Sequence, residues 1–330
     1  MNDAVSDQVN HLRARERGRG REAWRPLHIP WLGGKDILLR LWDEILEDRV
    51  GTVAGATAFF ILLSLFPALA ALVSLYGLIA DPIAIGEHLA DMRGYVPAAV
   101  LDLIGAELQR LIGNRTSTLS LSFAGGVLLA LWSANNGMRA LFDALNVAYD
   151  ETEKRSFFRL LLVSLGFTLG AIVFFVALIN LVIGVPLLVR FLHLGFVGEL
   201  LITFLPAILM FVVALFGLAM LYRYGPSRRV ARWRWITPGS VVAAATWLVF
   251  SILFSWYLAN WADYSATYGS LGAIIGVMMW IYLSLWVVLV GAEINAEIEH
   301  QTAQDTTIGP AKPLGDRGAT MADDVGEARA

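Results

Sequence analysis

Hydrophobic and polar positions divide this chain into long uncharged stretches separated by short charged ones. Residues 53–80, 116–138, 160–189, 200–222, 236–262 and 264–292 each run for more than 20 residues without Asp, Glu, Lys or Arg. At 1.5 Å rise per residue, a helix of about 20 residues crosses the hydrocarbon core of a bilayer. The pattern therefore predicts six transmembrane helices. The last stretch has length to spare and is bracketed by Asp263 and Glu293. Small residues (Gly269, Gly272, Gly276) mark its first half and large apolar ones its second, which predicts close packing at its outer end. The second stretch is diluted by Ser133, Asn135 and Asn136. Alternating segments of about ten residues are absent, so a β-barrel is disfavoured, and backbone groups in lipid then require helices.

Other segments read as amphipathic or untethered. Across 35–50, Leu38, Leu41, Trp42 and Ile45 share one helical stripe, with Asp36, Arg40, Asp43, Glu44 and Glu47 opposite. Such a helix lies in the membrane interface. The connection 81–115 is too long for a turn. Leu101, Ile104, Leu108 and Leu111 repeat there at helical spacing after Pro97, preceded by a shorter element with Ile85, Leu89 and Met92. The arginine-rich leader 1–34 and the polar, Gly- and Pro-containing segment 301–330 read as disordered tails around a membrane domain of residues 35–300. The fold expected is an all-α polytopic bundle of six transmembrane helices with interfacial helices.

Composition agrees with lipid as the solvent. Hydrophobic residues make up 57%, charged residues 16%, and the mean hydropathy is +0.62, whereas soluble domains carry about 25% charged residues. The absence of cysteine excludes disulfides and thiolate chemistry. The N-terminus starts polar and shows no cleavable signal. Charge placement sets orientation. Nine Lys or Arg fall in residues 1–49, four in 139–159, five in 223–235 and three in the C-terminal tail, against Arg93, Arg110, Arg115 and Arg190 on the other side. By the positive-inside rule both termini are cytoplasmic. Aromatic anchors agree, with Trp233 and Trp235 on the inner side and Trp256, Trp261 and Tyr264 near the outer turn.

Candidate chemistry is sparse. Pro67, Pro186 and Pro206 interrupt spans one, three and four, and broken helices line substrate sites in many transporters, although kinks are as often structural. Gly166–Gly170 and Gly272–Gly276 have the spacing that lets helices approach closely. The run Ser64-Leu65-Phe66-Pro67-Ala68-Leu69 is echoed by Thr203-Phe204-Leu205-Pro206-Ala207-Ile208, as an inverted repeat of spans 1–3 and 4–6 would require. Intramembrane ionisable residues are few. Glu293, followed by Asn295 and Glu297, sits among apolar neighbours at the inner boundary, where structural anchoring is the expected role. The five histidines lack metal-ligand spacing, and neither a phosphate-cradling loop nor a nucleophile elbow occurs.

Several blocks in one order carry a resemblance. Ser64-Leu65-Phe66-Pro67, Leu131-Trp132-Ser133-Ala134 and Asn146-Val147-Ala148-Tyr149 lead to Tyr222-Arg223-Tyr224-Gly225-Pro226 and Trp235-Ile236-Thr237-Pro238-Gly239. Tyr268-Gly269-Ser270-Leu271-Gly272-Ala273, Trp280-Ile281-Tyr282 and Gly291-Ala292-Glu293-Ile294-Asn295-Ala296 complete them. Over roughly residues 36–300 the chain resembles the YihY/BrkB membrane proteins. The resemblance implies a six-helix bacterial inner-membrane protein linked to envelope integrity, with export of lipids or osmolytes proposed. Members have also carried a ribonuclease label. A nuclease needs clustered metal ligands or an acid–base pair open to water, and the sequence shows neither, so a non-enzymatic role is expected.

The expectation is a carrier or exporter of an amphiphile or small osmolyte, with a non-transporting scaffold for envelope machinery as the alternative. Pro67, Asn146, Pro206, Tyr268, Gly269, Gly272, Glu293 and Asn295 are the candidate functional or structural positions. Lipid is the expected surrounding partner, no cofactor, metal or nucleic acid is implied, and a homo-oligomer is compatible with the sequence.

Overall fold

The computed structural model describes residues 3–76, 105, 121–191, 195–261 and 271–329. Among these the chain is helical, with one isolated antiparallel bridge between Ala231 and Thr307. A short leader helix, α1 (Asp3–Arg13), and a 3-10 turn at Pro26–His28 precede α2 (Trp31–Glu47). The long helices are α3 (Val50–Tyr76), α4 (Leu121–Ala148), α5 (Phe157–Phe191), α6 (Gly195–Tyr224), α7 (Trp233–Asn260) and α8 (Gly272–His300). A single turn, α9 (Thr320–Asp323), closes the chain. The helices predicted in 81–115, together with Tyr268 and Gly269, lie outside the described residues, Gly105 apart.

Four helices contain apolar stretches long enough to cross a bilayer: Phe157–Phe174 in α5, Ala207–Tyr224 in α6, Trp233–Asn260 in α7 and Ile274–His300 in α8. Trp31–Glu47 and Val50–Leu65 qualify together as a pair bent by 56°, which makes up to five among the described residues. The sequence-based expectation is six. Helix α4, which carries Asn135, Asn136, Arg139 and Asp143, is not among these spans over its described residues. It packs most extensively against α3, while α8 packs on α7 and α3 and touches α2 and α4. Neighbours in sequence also touch, α4 with α5, α5 with α6 and α6 with α7.

The core sits where these helices converge. Val50, Ala54 and Ala58 of α3 meet Phe142 and Leu145 of α4, Leu221 and Tyr222 of α6, and Ile281, Leu289, Ala292 and Ala296 of α8. Outward-facing Phe60, Leu63, Leu129, Leu162, Val173, Phe204, Phe216 and Leu253 are exposed. An apolar surface of this extent is stable in lipid, where it meets hydrocarbon, and would drive aggregation in water.

Two non-glycine residues adopt left-handed backbone. Arg49 (φ 49°) lies in the bend between α2 and α3, and Asp150 (φ 49°) follows the end of α4. At Asp150 the turn is closed by the Glu151 N–H donating to Asn146 O at 2.8 Å, an αL helix stop that Asp tolerates well. The turn at Arg49 ends α2 at Asp48 and starts α3 directly afterwards.

The disordered tails expected from sequence are corrected by the structure. Both tails fold onto the end of the bundle where the termini meet. Thr302 Oγ1 donates to Ala23 O at 2.5 Å, Gln301 Nε2 to Arg19 O at 2.7 Å, and the Gly326 N–H to His300 O at 2.8 Å. Asn10 Nδ2 donates to Asp324 Oδ1 at 2.6 Å, tying one terminus to the other. Buried Arg317 donates to the carbonyls of Ala303, Gln304 and Ala322 and so holds the C-terminal segment in a closed loop. A low-hydrophobicity segment can be ordered this way because arginines saturate backbone carbonyls that would otherwise need water.

Candidate functional site

Below the tails, the last three turns of α8 carry polar residues into the middle of the bundle. Glu293, Asn295, Glu297 and Glu299 are all at most 1% exposed. Spacings of four place Glu293, Glu297 and Gln301 along one stripe of α8 and Asn295 and Glu299 along another. Each stripe meets a different partner.

Glu297 accepts from Arg40 Nε at 2.6 Å, and Arg40 also donates to Gln301 Oε1 and Glu327 O, both at 2.7 Å. Glu299 accepts from Arg228 Nη1 at 2.9 Å and from Thr306 Oγ1 at 2.5 Å. Asn295 Oδ1 accepts the backbone N–H of Gly239 on α7 at 2.7 Å. Gly239 has to be glycine there, because a Cβ would meet Gly291 O and lie 2.7 Å from Asn295 Nδ2. One turn earlier, Tyr222 Oη donates to Val288 O at 2.7 Å and closes α6 against α8.

Glu293 differs from Glu297 and Glu299, whose carboxylates each meet an arginine. Its carboxyl lies within hydrogen-bond reach of Asp48 at the α2–α3 bend, and Oε1 has no partner among the described residues. Two carboxylates are both acceptors, so this contact requires a shared proton. Burial, then the charge of Asp150, pushes Asp48 up to about 6, with the Glu293 hydrogen bond opposing. Burial likewise pushes Glu44 up to about 7, reinforced by Glu297, Asp150 and Asp48. The left-handed turn at Arg49 is what delivers Asp48 to this position.

In the same region Trp235 Nε1 lacks a partner among the described residues, and Tyr149 Oη and the Asn295 amide have each other as the nearest polar partner. Tyr149 is fully buried, lies 4.3 Å below the Arg228 guanidinium, and has its phenol pushed up by that burial. An apolar bundle end thus contains acceptors and donors with capacity to spare, an arrangement suited to water, a proton or a polar ligand group.

Of the candidate positions from sequence, Asn146, Glu293 and Asn295 come to this end. Asn146 Oδ1 accepts the Ser227 N–H at 2.7 Å and its Nδ2 donates to Glu153 Oε2 at 3.3 Å, so it pins the α6–α7 loop to the α4–α5 turn. Gly272, buried, is the first residue of α8, roughly 30 Å from Glu293 at 1.5 Å per residue. Pro67 is partly buried within α3, and Pro206 lies within α6. Neither joins the polar region. The glycine pair Gly166–Gly170, predicted to allow a close approach, faces open space, whereas Gly239 and Gly291 make one.

Sequence reasoning missed Asp48, Arg40, Arg228 and Tyr149. The signal was the four-residue spacing of polar groups on α8. It names one side of each contact and is silent about partners more than 60 residues away. No group of three or more His, Cys, Asp or Glu suited to hold a metal ion occurs among the described residues.

A lipid-facing helical bundle capped by charged tails defines an integral, multi-helix membrane protein. The chain belongs to the family described as virulence factor BrkB, whose model matches residues 41–314. A Bacillus subtilis (strain 168) protein named as ribonuclease-like, YfkH, is 39% identical over 245 residues, covering 72% of this chain and 86% of that protein. A UPF0761 membrane protein of Pseudoalteromonas translucida (strain TAC 125) is 28% identical over 281 residues, 80% of this chain and 86% of its own. One from Haemophilus influenzae (strain 86-028NP) is 22% identical over 272 residues, 80% and 96%. No solved structure matches.

Proposed function

We propose that this protein is a six-span carrier in the bacterial inner membrane, with both termini cytoplasmic, that exports a lipid-like amphiphile or small osmolyte in support of the envelope. The observation that supports this reading is the Glu293–Asp48 carboxyl pair, buried with an unpartnered Glu293 Oε1 and Trp235 Nε1 at one end of an apolar bundle. Unsatisfied polar groups in such a place cost stability. Anchoring needs partners, as the neighbouring Arg40–Glu297 and Arg228–Glu299 contacts have. Ionisable groups inside membrane bundles otherwise mark substrate or proton pathways.

The role is non-enzymatic on this reading, and the ribonuclease-like name stays with the Bacillus relative. Protein reconstituted in liposomes should accelerate lipid scrambling or solute efflux. Glu293→Gln should fold normally and lose most of that rate. Background rates for both assays with folded wild-type protein would defeat the proposal.

A scaffold for envelope machinery is the second reading, favoured by the ordered tails, which present a fixed surface at the capped end. Reproducible crosslinking of one partner to the tails, without transport, is its expected result.

A further inference from the structure

A second polar feature lies beside the acidic region and carries the opposite charge. The α4–α5 turn, the start of α5, the end of α6, the α6–α7 loop and Gly318 line an open cavity of about 340 Å³. Six cationic residues line it (Lys154, Arg155, Arg159, Arg223, Arg228 and Arg229), and no acidic residue does.

Three of these cations are neutralised from behind. Lys154 pairs with Glu151 at 2.6 Å, Arg155 with Glu153 at 2.7 Å, and Arg228 with Glu299 at 2.9 Å. Arg159, Arg223 and Arg229 form no ion pair among the described residues. Arg223 is 7% exposed, and its Nε and Nη1 have no hydrogen-bond partner there, nor has Arg229 Nη1. A buried guanidinium with free donors is costly unless an anion completes it. Phosphate oxygens suit several guanidinium forks at once.

Position indicates where that anion comes from. Arg223 sits at the end of the apolar stretch Ala207–Tyr224. Its guanidinium stacks 4.2 Å from the ring of Trp233, which begins α7 and is exposed. Tryptophan at a helix end marks the headgroup level of a bilayer, and basic pockets between helices at that level take lipid headgroups.

We propose that this cavity is a binding site for a phosphate group, supplied by an anionic phospholipid of the leaflet on the capped side. The unpaired Arg223, Arg229 and Arg159 hold the phosphate oxygens. The site is defined by its own residues and does not depend on the carrier reading.

The test uses the full-length protein in detergent, with phosphatidylglycerol, phosphatidylcholine and inorganic phosphate as probes and native mass spectrometry as readout. Wild type should retain phosphatidylglycerol at least about tenfold more tightly than phosphatidylcholine, with inorganic phosphate competing. Arg223→Gln/Arg229→Gln should weaken phosphatidylglycerol by about tenfold or more at an unchanged melting temperature. If that double variant misfolds, Arg159→Gln, at an exposed residue, should still weaken it severalfold. Binding of inorganic phosphate that these variants weaken, without retention of phosphatidylglycerol, supports the phosphate site and assigns its source to a soluble anion. Equal retention of phosphatidylglycerol by wild type and folded variants, or no binding of either phosphate probe, overturns the proposal.

Discussion

Arg40 Nε donates to Glu297 Oε2 at 2.6 Å across 257 residues of chain, and both side chains are buried. This contact joins α2 to α8; Arg40 Nη1 also donates to Glu327 O in the C-terminal tail and Nη2 to Gln301 Oε1 at the end of α8. Removing one member of a buried pair leaves the other charge uncompensated, at about 3–5 kcal/mol. Arg40→Met should therefore lower thermal stability in detergent strongly. Arg40→Met/Glu297→Leu should recover much of the loss. A double variant no more stable than the single one would show that the charges themselves do not set the cost.

Gly239 is the point where α7 and α8 touch backbone to backbone. Gly239→Ala places a methyl group against Gly291 O and Asn295. Overpacking of a filled interior costs about 1–3 kcal/mol, so the melting temperature should fall. Gly166→Ala, whose methyl would meet nothing within 4 Å, should leave stability unchanged or raise it by up to about 1 kcal/mol through helix propensity. A larger loss at Gly166 than at Gly239 would contradict the packing described.

The contrast between these glycines shows how far the sequence could be read. Lipid-solvated helices were legible because 20 uncharged residues in a row have few other physical uses. Glu293 and Asn295 were legible as polar breaks in an apolar helix. The spacing at Gly166–Gly170 says that two small residues share a helix face, but not which neighbour that face meets. Gly239–Gly291 involves two helices and has no local signature. The tails differ from the expectation for the same reason. Their composition is that of disorder, and their order comes from distant partners such as Gln301 to Arg19 and Arg21 to Gly326.

Arg317 is the fastener of the C-terminal segment, donating to four carbonyls, of Ala303, Gln304, Lys312 and Ala322. Arg317→Ala removes the donor from those acceptors, leaving the segment between them held chiefly by the buried Ala319, Met321 and Ala322 at its far end. Limited proteolysis should then cut between residues 303 and 322 at least about tenfold faster than in wild type, with the helices intact. Equal cleavage rates would show that the segment is held by other contacts.

The acids around the α2–α3 bend give stability a definite pH dependence. Asp48 is raised by burial to about 6 and Glu44 by burial to about 7, from ordinary values of 3.8 and 4.5. The folded state therefore binds these protons more tightly than the unfolded state. Their contribution is fully present below about pH 4 and is lost as pH rises through 6 to 7. Glu153 behaves oppositely. Burial raises it, but hydrogen bonds from Arg155 outweigh that and hold it at about 2, so its contribution is fully present above about pH 5 and is lost as pH falls from there toward 2. The melting temperature in detergent should fall between pH 4 and 7. Asp48→Asn, which copies the protonated form in both states, should flatten that slope, matching wild type near pH 4 and exceeding it at pH 7 to 8. A wild-type profile that rises with pH through this range, or an Asp48→Asn profile parallel to it, would mean that the Asp48–Glu293 contact does not hold a proton.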